Sequence, residues 1–214
     1  MKVSELARRA NIRLSAVKFY QREGLLPEGV RSAPNQVEYG EAHVKRVRLI
    51  RALLETGGLS IAATKEVLGA VDTQGVSMAN TFGLAQRAMS TPRTAASVPS
   101  AESRDRVTRL AQSQGWNFLA ENPGIDAAAR ALDGLRAIDF TLTDAYLTAY
   151  ASAASMAAAA DLHALTALSD PDELTELMVV GSILGDPLFA GLRRLAHENS
   201  THHLFPTQSK RDES

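Results

Sequence analysis

At 214 residues the chain is longer than one small module and suits one large domain or two small ones. Apolar residues make up 45% and charged residues 22%, the composition of a folded globular protein; the lack of any cysteine excludes disulfides, thiolate metal sites, iron–sulfur ligation and thiol redox sensing. The net charge of −1 conceals an asymmetry: residues 1–70 hold 12 Lys/Arg against 7 Asp/Glu, a net of +5, while the remaining 144 hold 11 against 17, a net of −6. A basic end on an acidic body is expected to meet a polyanion on one side only.

The first 71 residues read as short, well-punctuated elements. Ser4 is a candidate cap for a helix with Val3, Leu6, Ala7 and Ala10 on one face, and Asn11 is a natural left-handed stop. A second helix is predicted from about Leu14 to Arg22, ending at Gly24. The stretch holding Gly29, Pro34 and Asn35 is too broken for helix and predicts a β-hairpin, or wing. From Glu41 a third helix places Val44, Val47, Ile50 and Leu54 inward with Lys45, Arg46, Arg48 and Arg51 around them. Gly57-Gly58 breaks it, and Ser60 caps a fourth helix ending near Gly69.

Residues 72–100 change character. A helix around Ser77–Met89 carries a 4-3-4 seam, Met78, Phe82, Ala85 and Met89, about two heptads long. The following STPRTAASVPS, with Pro92 and Pro99, reads as a linker. From Ala101 to about residue 199 the pattern is all helical: a helix over about 101–114, a turn at Asn122-Pro123-Gly124, a helix bearing Leu132, Leu135 and Ile138, then a longer Ala-rich one from Thr141–Thr143. Asp170-Pro171 and Asp186-Pro187 each look like a helix start, a capping carboxylate followed by proline at the first helical position. Residues 200–214 read as a tail. The fold class is therefore mostly α: an N-terminal winged helix-turn-helix with a small β wing (1–71), a short helix and linker (72–100), and an all-α C-terminal bundle (101–199).

A helix-turn-helix binds duplex DNA because its second helix fits the major groove while neighbouring cationic and hydroxyl groups hold phosphates. The segment KVSELARRANI…VKFYQREGLLP…VRS…YGEAHVKRVRLIRALLETGGLSIAATKEVL resembles the DNA-binding domain of the MerR family of transcription regulators, with seven features in order over about residues 1–71. The resemblance implies phosphate contacts from Lys18, Tyr20, Arg31, Ser32 and Tyr39 and from the arginines of the third helix, Arg46, Arg48 and Arg51. Arg13 and Ser15, at the front of the recognition helix, are the candidates for base contacts. Arg13 stands where the family places a Ser or Thr cap, and the wing tip NQV lacks the family's Gly-Tyr-Arg. The bland alternatives are that Tyr20 and Tyr39 are half-buried core residues and that Arg48 pairs with Glu41 or Glu55.

The resemblance further implies a homodimer on a promoter pseudo-palindrome that untwists the spacer between promoter elements and so acts on RNA polymerase indirectly. The Pro-interrupted seam is short for a coiled coil, so much of the dimer interface is expected from residues 101–199. Trp116, Phe118, Tyr146, Tyr150 and Met156 could line a pocket for a small apolar effector, with Trp116, Tyr146 and Tyr150 its core. His197, His202 and His203 are read as a solvated tail, so no metal and no cofactor is expected. No nucleophile–base pair, HExxH, phosphate loop or carboxylate dyad is present at useful spacing, so no enzyme is expected. No run of about 20 apolar residues and no apolar stretch behind Lys2 is found, so the expectation is a cytoplasmic protein without a membrane partner. The alternatives are an architectural, excisionase-like DNA-binding protein and a protein-docking module with a vestigial DNA-binding head.

Overall fold

The structure, a computed structural model, describes residues 1–33, 36–73, 83, 87, 89 and 97–204, with side chains at all of these except 32, 33, 36, 171 and 172. Helix α1 spans Val3–Arg9 and α2 spans Leu14–Arg22. The cap of α1 is Lys2 rather than Ser4, which falls in the first turn. The displacement has a tertiary cause: the Tyr39 backbone N–H donates to the Met1 carbonyl at 2.8 Å, holding the chain extended immediately before the helix. Between α1 and α2, Asn11 adopts φ 52°, the left-handed stop expected of it, and Gly24 (φ 68°) turns the chain out of α2.

The wing is a two-stranded antiparallel sheet, β1 (Val30–Ala33) against β2 (Gln36–Glu38), with Val30 opposite Glu38 and Arg31 opposite Val37. Helix α3 follows as Glu41–Arg51 and loosens into a π-helical stretch, Ala52–Thr56, before Gly57. Helix α4 (Ile61–Asp72) begins where Ser60 Oγ accepts from the Ala63 N–H at 3.1 Å and runs three residues past Gly69.

The C-terminal half is helical among the described residues: α5 (Ala101–Ser113), α6 (Pro123–Arg136), α7 (Asp144–Leu165) and α8 (Pro171–Leu204). Each start is set by a local acceptor. Ser100 Oγ accepts from Ser103 N–H, Asn122 Oδ1 from Gly124 N–H and Thr143 Oγ1 from Tyr146 N–H. Asn122 is thus a cap and Pro123 the first helical residue, where a turn was expected. At the start of α8, Asp170 accepts from the Glu173 N–H at 3.1 Å.

Asp186-Pro187 is not a start. Helix α8 continues through Pro187 for 34 residues and ends at Leu204, inside the stretch expected to be tail. Proline removes one helical donor and crowds the carbonyl four residues back, a local cost of about 3 kcal/mol. Packing on both sides of Pro187 opposes it: Ile183 is buried against the head, and Arg193 lies over a ring of α7. By length and composition the Glu173–Leu204 stretch could cross a membrane, which its sequence pattern did not announce.

The head's core consists of fully buried side chains from α1, α2, α3 and α4, among them Leu6, Val17, Val47, Ile50 and Val67. Val179 and Ile183 of α8 belong to the same cluster, both almost inaccessible. The 72–100 seam lies largely outside the described residues: Met78, Phe82, Ala85 and Pro92 are not described, while Met89 packs against this core.

Candidate nucleic-acid interface and effector cavity

Helix α2 is amphipathic. Val17 and Tyr20 are buried, Ser15 and Lys18 are exposed on other sides of the helix, and Arg13 is exposed at its N-terminus. Arg13 is the cap residue of α2 and makes no side-chain cap bond. Neither Arg13 nor Lys18 forms an ion pair among the described residues, and Arg31 on β1 is likewise exposed and unpaired there. This is the arrangement expected of groups that hold a polyanion. The Ser32 side chain lies outside the described residues.

The other candidates are placed differently. Tyr20 is 6% exposed and lies in the core, where burial pushes its hydroxyl pKa up. Tyr39 is 8% exposed; its hydroxyl accepts from Gln21 Nε2 at 2.9 Å, and its ring meets His43 edge-on at 5.2 Å. Tyr39 therefore braces the end of the wing against α2. Arg46 donates from Nε to the Leu25 carbonyl at 3.0 Å and bidentately to Asp72 at 2.7 Å, with its side chain only 14% exposed. Its guanidinium ties α3 to the end of α4.

Arg48 is exposed and donates to the Arg9 carbonyl at 3.3 Å. The two carboxylates considered as its partners are taken by other arginines: Glu41 pairs with Arg9, and Glu55 with Arg51 at 2.9 Å. Arg51 also donates to the Asn11 carbonyl at 3.2 Å, fastening α3 to the turn after α1.

In the C-terminal half, α5, α6 and α7 enclose a cavity of about 600 Å³. Trp116, Tyr146 and Tyr150 all line it, as does Phe118; Met156, also considered for the pocket, does not and is 76% exposed. Trp116 Nε1 donates to Ser155 Oγ at 3.1 Å. The rings of Tyr146 and Tyr150, one helical turn apart on α7, stack at 4.5 Å; the Tyr146 hydroxyl donates to that of Tyr150 at 2.7 Å, which raises the Tyr146 pKa. The cavity wall also includes Arg193 from α8, which sequence reasoning missed. Arg193 is 43 positions after Tyr150, and only the return of α8 along α7 brings the two together. Among the described residues no group of three or more His, Asp or Glu is arranged to hold a metal; His197, His202 and His203 lie on exposed positions of α8.

Two helices joined by a tight turn, a two-stranded wing and a cationic outer face define the class: a winged helix-turn-helix DNA-binding protein. Residues 1–70 match the MerR HTH family regulatory proteins, so the head is a MerR-type helix-turn-helix domain. It is similar to the mercuric resistance operon regulatory protein of Serratia marcescens, 36% identical over 55 residues, which are 26% of this chain. The match spans 38% of that relative's length. Along nearly its whole length the chain is also similar to a crystal structure described as a transcriptional regulator from Streptomyces coelicolor A3(2). That likeness has a TM-score of 0.70 and 26% identity, and it covers 98% of this chain and 100% of the other.

Proposed function

We propose that this protein is a promoter-binding transcription regulator that acts as a homodimer in the cytoplasm. The observation that carries the reading is the exposed face of α2 and the wing, where Arg13, Lys18 and Arg31 stand without carboxylate partners among the described residues. Lys18 and Arg31, with the wing's Ser32, hold phosphates; Arg13 and Ser15 reach base edges at the front of the recognition helix. Tyr39, Tyr20 and Arg46 act from within, by keeping the wing, α2 and α3 in register. Arg48 supplies a further phosphate contact from the start of the groove-facing surface.

Two heads are needed to read a pseudo-palindrome, and α8 supplies a surface for pairing. Leu188, Leu192 and Leu195 are 64%, 56% and 64% exposed, follow a 4-3 spacing like that of a coiled-coil seam, and do not line the cavity. Their burial against a second copy would cover the most apolar exposed stretch of the helix. In this reading the protein acts on RNA polymerase indirectly, by deforming the promoter, and a small apolar effector occupies the cavity that Trp116, Tyr146 and Tyr150 line. The excisionase-like and docking-module alternatives are disfavoured by the unpaired cations of the head together with a body that encloses a cavity.

A footprint on the DNA upstream of the protein's own coding sequence tests the reading. Protection of an inverted repeat, with two turns of contact on one face of the duplex, is the expected result. Binding that follows salt concentration but ignores sequence would reject it in favour of an architectural binder.

A further inference from the structure

The cavity among α5, α6 and α7 is mostly apolar, with Asn122, the two tyrosine hydroxyls and one charged group as its polar points. At about 600 Å³ it falls within the range of small-molecule sites, and Leu110, Ile125, Leu132 and Leu147 form much of its wall beside the aromatic rings. Among the described residues Arg193 is the only charged one that lines it. Its guanidinium sits 5.2 Å from the centroid of the Tyr150 ring, over the face of the stacked tyrosine pair. Three arginines of this bundle hold a carboxylate: Arg104 pairs with Asp126, Arg106 with Asp144 at 2.9 Å and Arg136 with Glu102 at 2.6 Å. Among the described residues Arg193 has no such partner. A guanidinium offers a fork of donors matched to a carboxylate, and it retains its charge under all ordinary conditions.

We propose that the cavity binds a small apolar carboxylic acid, its hydrocarbon or aromatic body lying among α5, α6 and α7 and its carboxylate on Arg193. The proposal rests on the effector reading above and specifies the class of ligand. Burial of the body provides affinity, and the single cation selects an acid over a neutral molecule of the same shape. The same helix carries Val179 and Ile183 into the core of the DNA-binding head. Ile183 is ten residues from Arg193, about 15 Å along the helix axis. A ligand that grips Arg193 against α7 therefore acts on the element that completes the head's core, and it shifts the head to the extent that it favours one seating of α8.

The test uses the full-length protein without DNA. Trp116, the chain's single tryptophan, lines the cavity and reports occupancy by its intrinsic fluorescence. Decanoate and decanol share a hydrocarbon body and differ in charge. Decanoate is expected to bind at least about tenfold more tightly than decanol, the scale of one charge-assisted contact. Arg193→Ala should bring decanoate down to the level of decanol and leave decanol unchanged, while Arg193→Lys keeps part of the preference. Arg193 is exposed, so neither variant disturbs a packed core. Equal binding of acid and alcohol by the wild type, or an acid preference that survives Arg193→Ala, overturns the proposal. So does the absence of binding by either probe, and if sedimentation then shows that Arg193→Glu disrupts self-association, the cavity face belongs to a second copy. Because no readout involves DNA, operator protection without acid preference removes the ligand assignment alone. Acid preference without operator protection removes the regulator reading alone.

Discussion

Residues of one type carry different tasks here, and their partners separate them. Lys18 and Arg13 are exposed and form no ion pair among the described residues, whereas Arg46 is bound to the Leu25 carbonyl and to Asp72. Lys18→Ala is expected to weaken binding to specific and random duplexes alike and to lower the salt slope by about 1, measured by titration across salt concentrations. Arg13→Ala should instead relax the preference among operator variants, by about 1–3 kcal/mol at one base pair if the contact is bidentate. Arg46→Ala should act on the fold. It removes a bidentate pair and leaves a carbonyl short of a donor, so urea unfolding should show a loss of about 1–2 kcal/mol, discounted for the exposed Asp72 side. A salt slope of DNA binding lowered by Arg46→Ala without loss of stability would return that residue to the interface.

At the scale of elements, two junctions are exposed to test. The first is the staple between α5 and α6. Asp133 accepts from the Ser100 N–H at 2.7 Å, from Ser100 Oγ at 2.7 Å and from Ser103 Oγ at 2.6 Å, and these bonds hold its carboxyl pKa down to about 2. A depressed carboxylate contributes stability that is fully present above its unfolded value of 3.8 and is lost as pH falls towards about 2. Thermal melts between pH 5 and pH 2 (about) should therefore show a component of acid destabilisation that Asp133→Asn lacks. The second junction is where α8 meets the π-helical stretch. A Cβ on Gly57 would lie 2.5 Å from Ile183 Cγ2 and 3.0 Å from the Leu53 carbonyl oxygen, so the backbone there comes as close as glycine permits. Gly57→Ala is expected to cost about 1–3 kcal/mol by overpacking, and in a double-mutant cycle that cost should shrink in the Ile183→Ala background, where the Cγ2 atom is gone. Additive costs would mean that the Leu53 carbonyl alone sets the clash.

On the scale of the molecule, α8 joins the two halves. It places Val179 and Ile183 in the head, Arg193 on the cavity and Leu188, Leu192 and Leu195 on an outer face. Ile183→Ala should destabilise the DNA-binding head by about 2–5 kcal/mol in denaturant unfolding, although the substitution lies more than a hundred residues beyond the head in the chain. Replacing Leu188, Leu192 and Leu195 together by glutamate should convert a dimer to a monomer in sedimentation and weaken operator binding without altering the far-ultraviolet spectrum. A triple variant that remains dimeric places the interface elsewhere.

The sequence by itself determined the head and much of the bundle. The buried Val17, the left-handed Asn11, the glycines at 24 and 57–58, the caps at Ser60 and Asp170 and the helix start near Thr143 are local signals, set by backbone geometry within a few residues, and each was legible without the fold, whereas Tyr20 read as a DNA contact and lies in the core. Of the aromatic and Met residues considered for a pocket, Trp116, Phe118, Tyr146 and Tyr150 line the cavity and Met156 does not. What tertiary structure alone decided were matters of distance in the chain. Asp186-Pro187 reads as a helix start, yet α8 runs through it with packing on either side; Arg46 reads as a DNA contact, yet Asp72, 26 residues away, holds it. Arg193 has no local motif, and Ile183 gives no sign that its place is in another domain's core. Periodicity reports which face of a helix is apolar, but only the packed chain decides what covers that face, because burial energy has no direction along the sequence.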